Sequence, residues 1–306
     1  MKDQAERLRE IIGSIKNYKD EEKATGMLTD KPGSRVIAIT SGKGGVGKTN
    51  FTVNLGIRFA QMGLRVVIID ADLGLANVDV VMGKMSKYNL SDVINSNKSI
   101  LEILEEGYEG VKFVSGGSGV QELVKLNRTQ LVDLLMKLGK LDEEADIILI
   151  DTGAGLSENV ISFVHAAREV ILVTTPEPTS ITDAYALLKT LNRKSEFSID
   201  DTTIKIISNR VTPGEDGEEI YEKLSIVVGR FLKLKLEYMG QIPMDNSVSK
   251  AVMKQRPAIC EYPNSSFSKL ISSFAKQLCD NEPNIIQGKK GIAQLFSNLL
   301  KSRTKK

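Results

Sequence analysis

The chain has 306 residues, 41% of them hydrophobic and 26% charged, proportions that suit a folded domain with a sizeable core. A net charge of +2 gives no broad electrostatic footprint for nucleic acid, and no apolar run reaches the roughly 18 residues needed to span a bilayer. One histidine, His165, and two distant cysteines, Cys260 and Cys279, supply no multi-histidine or cysteine metal spacing.

The opening, MKDQAERLRE, is charged and lacks the apolar core of a secretory signal, so a cytosolic location is expected. Residues 1–20 read as a helix with Leu8, Ile11, Ile12 and Ile15 on one face, which a partner could bury. A linker over 21–33, carrying Gly26, Pro32 and Gly33, follows it. From about residue 34 to 283, short β-branched runs alternate with amphipathic stretches. Strands are predicted over Val36–Thr40, Val66–Asp70, Val111–Ser115, Asp146–Asp151, Glu169–Thr175, Lys205–Asn209 and Glu237–Ile242. Between them, Phe51–Met62, Arg128–Leu138, Ser180–Leu191 and Glu218–Phe231 have helical spacing. Runs such as VVIID and IILID are apolar throughout, as in parallel strands covered on both faces. The pattern predicts an α/β domain with a doubly wound, mostly parallel sheet. His165 lies in an apolar helical stretch and reads as structural, and the cysteines read as reduced thiols.

Pro283 and Gly288 break the chain before a tail over 284–306. Its apolar residues Ile292, Leu295, Phe296, Leu299 and Leu300 recur at i, i+3, i+4, i+7 and i+8, flanked by Lys289, Lys290, Lys301, Arg303, Lys305 and Lys306. That is the pattern of an amphipathic helix on an anionic lipid surface. The segment is too short to be a stable helix in water. Five half-buried apolar side chains contribute roughly 5 kcal/mol gross, much of it offset by ordering the segment. A single tail should therefore bind weakly, and two on a dimer firmly.

The first predicted strand leads into Gly42-Lys43-Gly44-Gly45-Val46-Gly47-Lys48-Thr49, which satisfies the G-x-x-x-x-G-K-[ST] phosphate-binding pattern in the required strand-to-helix context. Glycines let successive amides converge on phosphate oxygens at a helix N-terminus. Lys48 would reach the β- and γ-phosphates and the Thr49 hydroxyl would coordinate Mg²⁺. Two further strands end in Asp70-Ala71-Asp72 and in Asp151-Thr152-Gly153-Ala154-Gly155, so their carboxylates fall at the carboxyl edge of the sheet, where ligands bind in such folds. Asp70 fits either a strand-end cap or a functional group. A late strand ends in Asn209-Arg210-Val211-Thr212, without the aspartate that reads guanine, so ATP is favoured over GTP.

The extra lysine, Lys43, makes the loop K-G-G-x-G-K-T, and over roughly residues 34–280 the chain resembles the MinD/ParA ATPases with a deviant Walker A motif. The resemblance implies an ATP-dependent homodimer in which Lys43 crosses to the partner's phosphates. It implies Lys43, Lys48 and Asp72 as the catalytic set, and ATP contacts from Gly42, Lys43, Gly44, Gly45, Val46, Gly47, Lys48, Thr49 and Asn50. Asn209, Arg210 and Pro243, the last in a family-like Ile242-Pro243 segment, would line the base. Thr49, Asp72 and Asp151 would hold the Mg²⁺ shell, and Gly153 and Gly155 would lie in switch II. Glu177 resembles a family glutamate at the dimer interface, or is a loop residue without a role.

The run Asp3-Gln4-Ala5-Glu6-Arg7-Leu8-Arg9 and the wording DTGAGLSENV resemble the FlhG branch of this family, also called YlxH or FleN, which regulates flagellar number. That resemblance implies that Asp3, Gln4, Ala5, Leu8 and Arg9 dock on the SRP-type GTPase FlhF and stimulate it, with Gln4 able to orient a water against a γ-phosphate. Flagellar switch or C-ring components are further candidate partners, and reversible attachment to the inner face of the cell membrane is implied, as in MinD. Division-site members share the core. A ParA-type DNA-partition motor would want a basic DNA-binding face, which the near-neutral core does not offer. A cluster-assembly relative would want a C-x-x-C pair, and none is present.

Overall fold

Alternation at a period of two divides each central strand between two apolar layers. In the computed structural model, which describes residues 33–72, 77–96, 98–117, 128–193, 202–232, 234–280, 291, 292 and 295, Ile148 and Ile150 face one layer and Ile147 and Leu149 the other. The strands are β1 (Arg35–Ser41), β2 (Val66–Ala71), β3 (Glu105–Glu106), β4 (Lys112–Val114), β5 (Ile147–Ala154), β6 (Glu169–Thr174), β7 (Thr203–Val211) and β8 (Leu236–Pro243). They form one sheet in the order β3-β4-β2-β5-β1-β6-β7-β8, parallel except for the β3–β4 pair. The doubly wound, mostly parallel sheet expected from the sequence is thus present.

The helices among the described residues are α1 (Lys48–Gln61), α2 (Asn77–Met82), α3 (Leu90–Asn95), α4 (Arg128–Gly139), α5 (Leu141–Glu144), α6 (Glu158–Ala166), α7 (Pro178–Asn192), α8 (Gly217–Leu232), α9 (Asn246–Met253), α10 (Ala258–Glu261) and α11 (Ser266–Asp280). One layer is built on α1 and α11, where the rings of Phe51 and Phe274 lie 6.3 Å apart. The opposite layer gathers residues of α4 and α6 to α8. His165 is half-buried on α6.

Several predicted bounds shift. The run expected as Val111–Ser115 is a strand over Lys112–Val114, with Ser115 in an isolated bridge to Asn89, and it carries a short antiparallel edge, β3, that the sequence pattern did not suggest. Two residues are too few to show alternation. Strand β7 continues through Arg210 to Val211, past the expected end at Asn209. The first helix begins at Lys48, ahead of the amphipathic stretch from Phe51, because the phosphate-binding loop runs straight into it.

A buried arginine fastens one end of the sheet. Arg35 forks onto Glu169 at 2.6 to 3.1 Å and donates to the Leu278 carbonyl at 2.8 Å, tying β1 and β6 to the end of α11. Its charge tolerates burial because each partner is close and well aligned. From the tail, Ile292 and Leu295 are buried in the same apolar cluster as Leu134, Leu138 and Leu141. Phe296, Leu299 and Leu300, like Asp3, Gln4, Ala5, Leu8 and Arg9, lie outside the described residues.

Candidate nucleotide-binding site

Register brings the sequence-predicted carboxylates together. Asp151 on β5 pairs with Ile39 on β1 and with Asp70 on β2, so two acidic side chains sit beside the end of the strand that feeds the glycine-rich loop. Lys48, Thr49 and Thr52, on the first turns of α1, all reach one carboxylate. Lys48 Nζ lies 2.8 Å from Asp151 Oδ1, Thr49 Oγ1 donates to Oδ2 at 2.6 Å, and Thr52 Oγ1 donates to Oδ1 at 3.0 Å. Asp151 is fully buried and Lys48 only 7% exposed, so the hydrogen bonds to Asp151 from Lys48, Thr49 and Thr52 stand in for the water it has lost. Thr52 was not anticipated from the sequence. Its signal was its place one turn after Thr49, on the same helix face.

The loop is shaped by what presses on it. At Gly47, φ is +91° and an added Cβ would lie 2.4 Å from Asn209 Nδ2, so only glycine fits. Asn209 is buried and donates from Nδ2 to the Val46 carbonyl at 2.7 Å, which leaves Oδ1 as the amide's acceptor. Gly42 meets the backbone of Asp183 on α7, where a Cβ would approach to 2.3 Å. Gly44 and Gly45 are exposed, and Val46 is buried beneath them. Asn50 is half-buried on α1, and its carbonyl accepts from Asn54 at 2.7 Å. Pro243 ends β8 and is exposed. Arg210 is exposed with φ of +58°, an uncommon conformation for a residue with a side chain, at an irregularity in the β7–β8 register.

A second carboxylate braces the loop that carries Asp72. Asp70 Oδ1 accepts from the Asp72 amide and Oδ2 from the Val78 amide, each at 3.1 Å, so one side chain holds both ends of the segment. Burial, and then the charge of Asp151, push the Asp70 carboxyl up to about 7. Asn77 Nδ2 donates to Asp72 Oδ2 at 3.0 Å, a contact with no warning in the sequence. Asp72 Oδ1 sits against Gly153, where a Cβ would stand 3.3 Å away. The Gly155 amide donates to the Ser41 carbonyl at 3.0 Å, joining the end of β5 to the end of β1.

Lys43 stands apart from this centre. Its ammonium contacts Glu177 Oε2 and lies 3.0 Å from Thr179 Oγ1, both at the start of α7 on the protein's surface. The sequence suggested Glu177 but gave no hint of Thr179.

The ParA family model described as "NUBPL iron-transfer P-loop NTPase" matches residues 33–279. The Antiactivator FleN of Pseudomonas aeruginosa is 43% identical over 244 residues, covering 80% of this chain and 86% of that protein. The Flagellum site-determining protein YlxH of Helicobacter pylori is 33% identical over 305 residues, covering 98% and 99%. The chain belongs to the MinD/ParA family of P-loop ATPases. Within that family it falls in the FleN/YlxH (FlhG) branch. Among solved structures, the septum site-determining protein MinD with Mg-ADP from Pyrococcus horikoshii matches with a TM-score of 0.65 at 25% identity, covering 83% of this chain and 99% of that one.

As a MinD/ParA ATPase, this protein hydrolyses ATP, and ATP with Mg²⁺ is the family's substrate and metal. The residues present fit them. Threonine hydroxyl and carboxylate oxygens are the hard donors Mg²⁺ prefers, and the exposed glycines leave backbone amides free to approach phosphate. The iron-transfer wording of the family description finds no support in the cysteines. Cys260 is half-buried, its thiol pushed up to about 11 by burial, and burial raises Cys279 as well.

Proposed function

We propose that this MinD/ParA ATPase is a nucleotide-operated switch that regulates flagellar number or placement, dimerising around ATP and signalling through its two ends. The loop Gly42, Lys43, Gly44, Gly45, Val46, Gly47, Lys48, Thr49 and Asn50 holds the phosphates, while Asn209, Arg210 and Pro243 border the base. Thr49, Asp72 and Asp151 would hold Mg²⁺, which when bound would offset charge on the phosphate oxygens. Lys48 then leaves Asp151 for phosphate oxygens, and Asp72 orients and deprotonates the attacking water. Gly153 and Gly155 let the end of β5 adjust to the nucleotide.

The observation that carries the dimer is the separation of the two loop lysines. Lys48 is buried against Asp151, whereas Lys43 rests on the rim against Glu177 and Thr179. An ammonium turned away from its own phosphate site gains most when a second copy brings a triphosphate to it. The names of the FleN and YlxH relatives support the flagellar half of the reading.

Residues 1–20 dock on the GTPase FlhF through Asp3, Gln4, Ala5, Leu8 and Arg9. The stripe of Ile292, Leu295, Phe296, Leu299 and Leu300 engages anionic lipid once the dimer offers two copies. No helix among the described residues is long and apolar enough to cross a membrane; the amphipathic stripe of the tail is of the kind that attaches peripherally. A peptide of residues 1–20 should raise FlhF GTPase turnover, and unchanged rates would remove that partner. In liposome flotation with ATP, the full chain should bind and a 1–290 truncation should not. Equal binding by both would remove the lipid role.

A further inference from the structure

The N-terminal and C-terminal segments meet at one carboxylate. Asp142, in α5, accepts the Ser34 amide at 3.1 Å and the Ile292 amide at 2.9 Å, both on Oδ1. Ser34 is where the N-terminal segment enters β1, and its hydroxyl also donates to the Ala145 carbonyl at 2.8 Å. The Leu295 amide donates to the Gly291 carbonyl at 3.3 Å, and Asp142, from another element, accepts the amide of the next residue, Ile292. The approach is close. A Cβ at Gly291 would stand 2.1 to 2.3 Å from the atoms of the Asp142 carboxyl group. Ile292 and Leu295 are buried in the apolar cluster that also contains Leu141 of α5.

We infer that Asp142 is a latch shared by the two terminal segments, so that loosening either one loosens the other. A carboxylate oriented by two amides recovers rotamer freedom when one leaves, and its bond to the second weakens. Loss of Ile292 and Leu295 also uncovers α5, the four-residue helix on which Asp142 stands. By reciprocity, a partner that draws residues 1–33 away makes the tail easier to release, and a surface that captures the tail frees the N-terminal segment. That consequence rests on the proposed roles of the two ends, whereas the latch does not.

Hydrogen–deuterium exchange on the full-length, nucleotide-free protein tests it, read over residues 33–36 and 291–295. Gly291→Ala sets its Cβ against the Asp142 carboxyl group and displaces the shared acceptor, so it should raise exchange in both segments, by about tenfold if one charge-assisted hydrogen bond is lost. Asp142→Ala should raise both as well, and the double variant should match the single ones rather than multiply them. Exchange across β5 reports whether the core is intact. Should Asp142→Ala disturb β5, Asp142→Asn, which keeps one acceptor oxygen, should still raise both segments together. A Gly291→Ala variant that loosens 291–295 and leaves 33–36 unchanged would overturn the latch, as would multiplicative effects in the double variant.

Discussion

Two lysines five positions apart in one loop have opposite surroundings. Lys48 is 7% exposed and locked to a carboxylate with no exposure at all, while the Lys43 side chain is 38% exposed and pairs with Glu177, itself 58% exposed. A buried pair is held by the fold, since removing one partner strands the other in a medium that cannot solvate it. An exposed pair is worth little and can be exchanged for a better anion at small cost. The contrast separates a lysine held inside the fold from one that can exchange its partner cheaply, the division that the proposed dimer would use.

The largest effect should follow from breaking the buried side. Lys48→Ala leaves Asp151 without its cation and removes the proposed phosphate ligand. ATP binding should be lost in titration calorimetry, and the nucleotide-free protein should lose about 3–5 kcal/mol of stability in urea unfolding. Retained ATP affinity would show that the two lysines are not divided as described. Breaking the exposed side should act only on the assembled state. Lys43→Ala should keep ATP binding in the same titration but lose at least about 10²-fold of stimulated turnover in a phosphate-release assay. A loss of ATP affinity matching that of Lys48→Ala would erase the distinction.

The fold was legible because its signals are repeated many times over. Continuous apolar runs such as Val66–Asp70 and Ile147–Ile150 announce central parallel strands, and the glycines and lysines of residues 42–49 sit where a strand hands over to a helix. Asp151 and Asp72 were visible as carboxylates at or just past the predicted ends of such strands, although β5 runs on to Ala154. Contacts between distant segments were not visible, because no local pattern encodes them. Asn209 on the Val46 carbonyl and Thr179 beside Lys43 arise from tertiary placement of ordinary polar residues. The burial of Ile292 and Leu295 is similar, since an amphipathic stripe reads alike whether lipid or the chain's own core covers it.

Asp70 sharpens the comparison from the buried side. Its folded-state carboxyl holds a proton up to about 7, against 3.8 ordinarily, so the folded protein binds that proton more tightly than the unfolded chain. Its contribution to the stability of nucleotide-free, metal-free protein is therefore greatest at low pH and is lost as pH rises through that window. Asp70→Asn cannot ionise and should flatten this decline in melting temperature measured across the same range. An unaltered slope would assign the pH dependence elsewhere. The smallest effect belongs to Glu177→Ala, which should change unfolding stability by no more than about 1 kcal/mol in the same urea experiment. A larger loss would mean that the rim contact is part of the fold rather than a place where Lys43 waits.

Everything in the switch depends on Lys43 reaching a nucleotide held by another copy. The direct measurement is solution mass by light scattering on Asp72→Ala, which should bind ATP and hydrolyse it hardly at all. With ATP and Mg²⁺ the mass should double, with ADP it should remain that of one chain, and adding Lys43→Ala should cancel the doubling. The same mass in ATP and ADP, or a doubling indifferent to Lys43, would contradict the account.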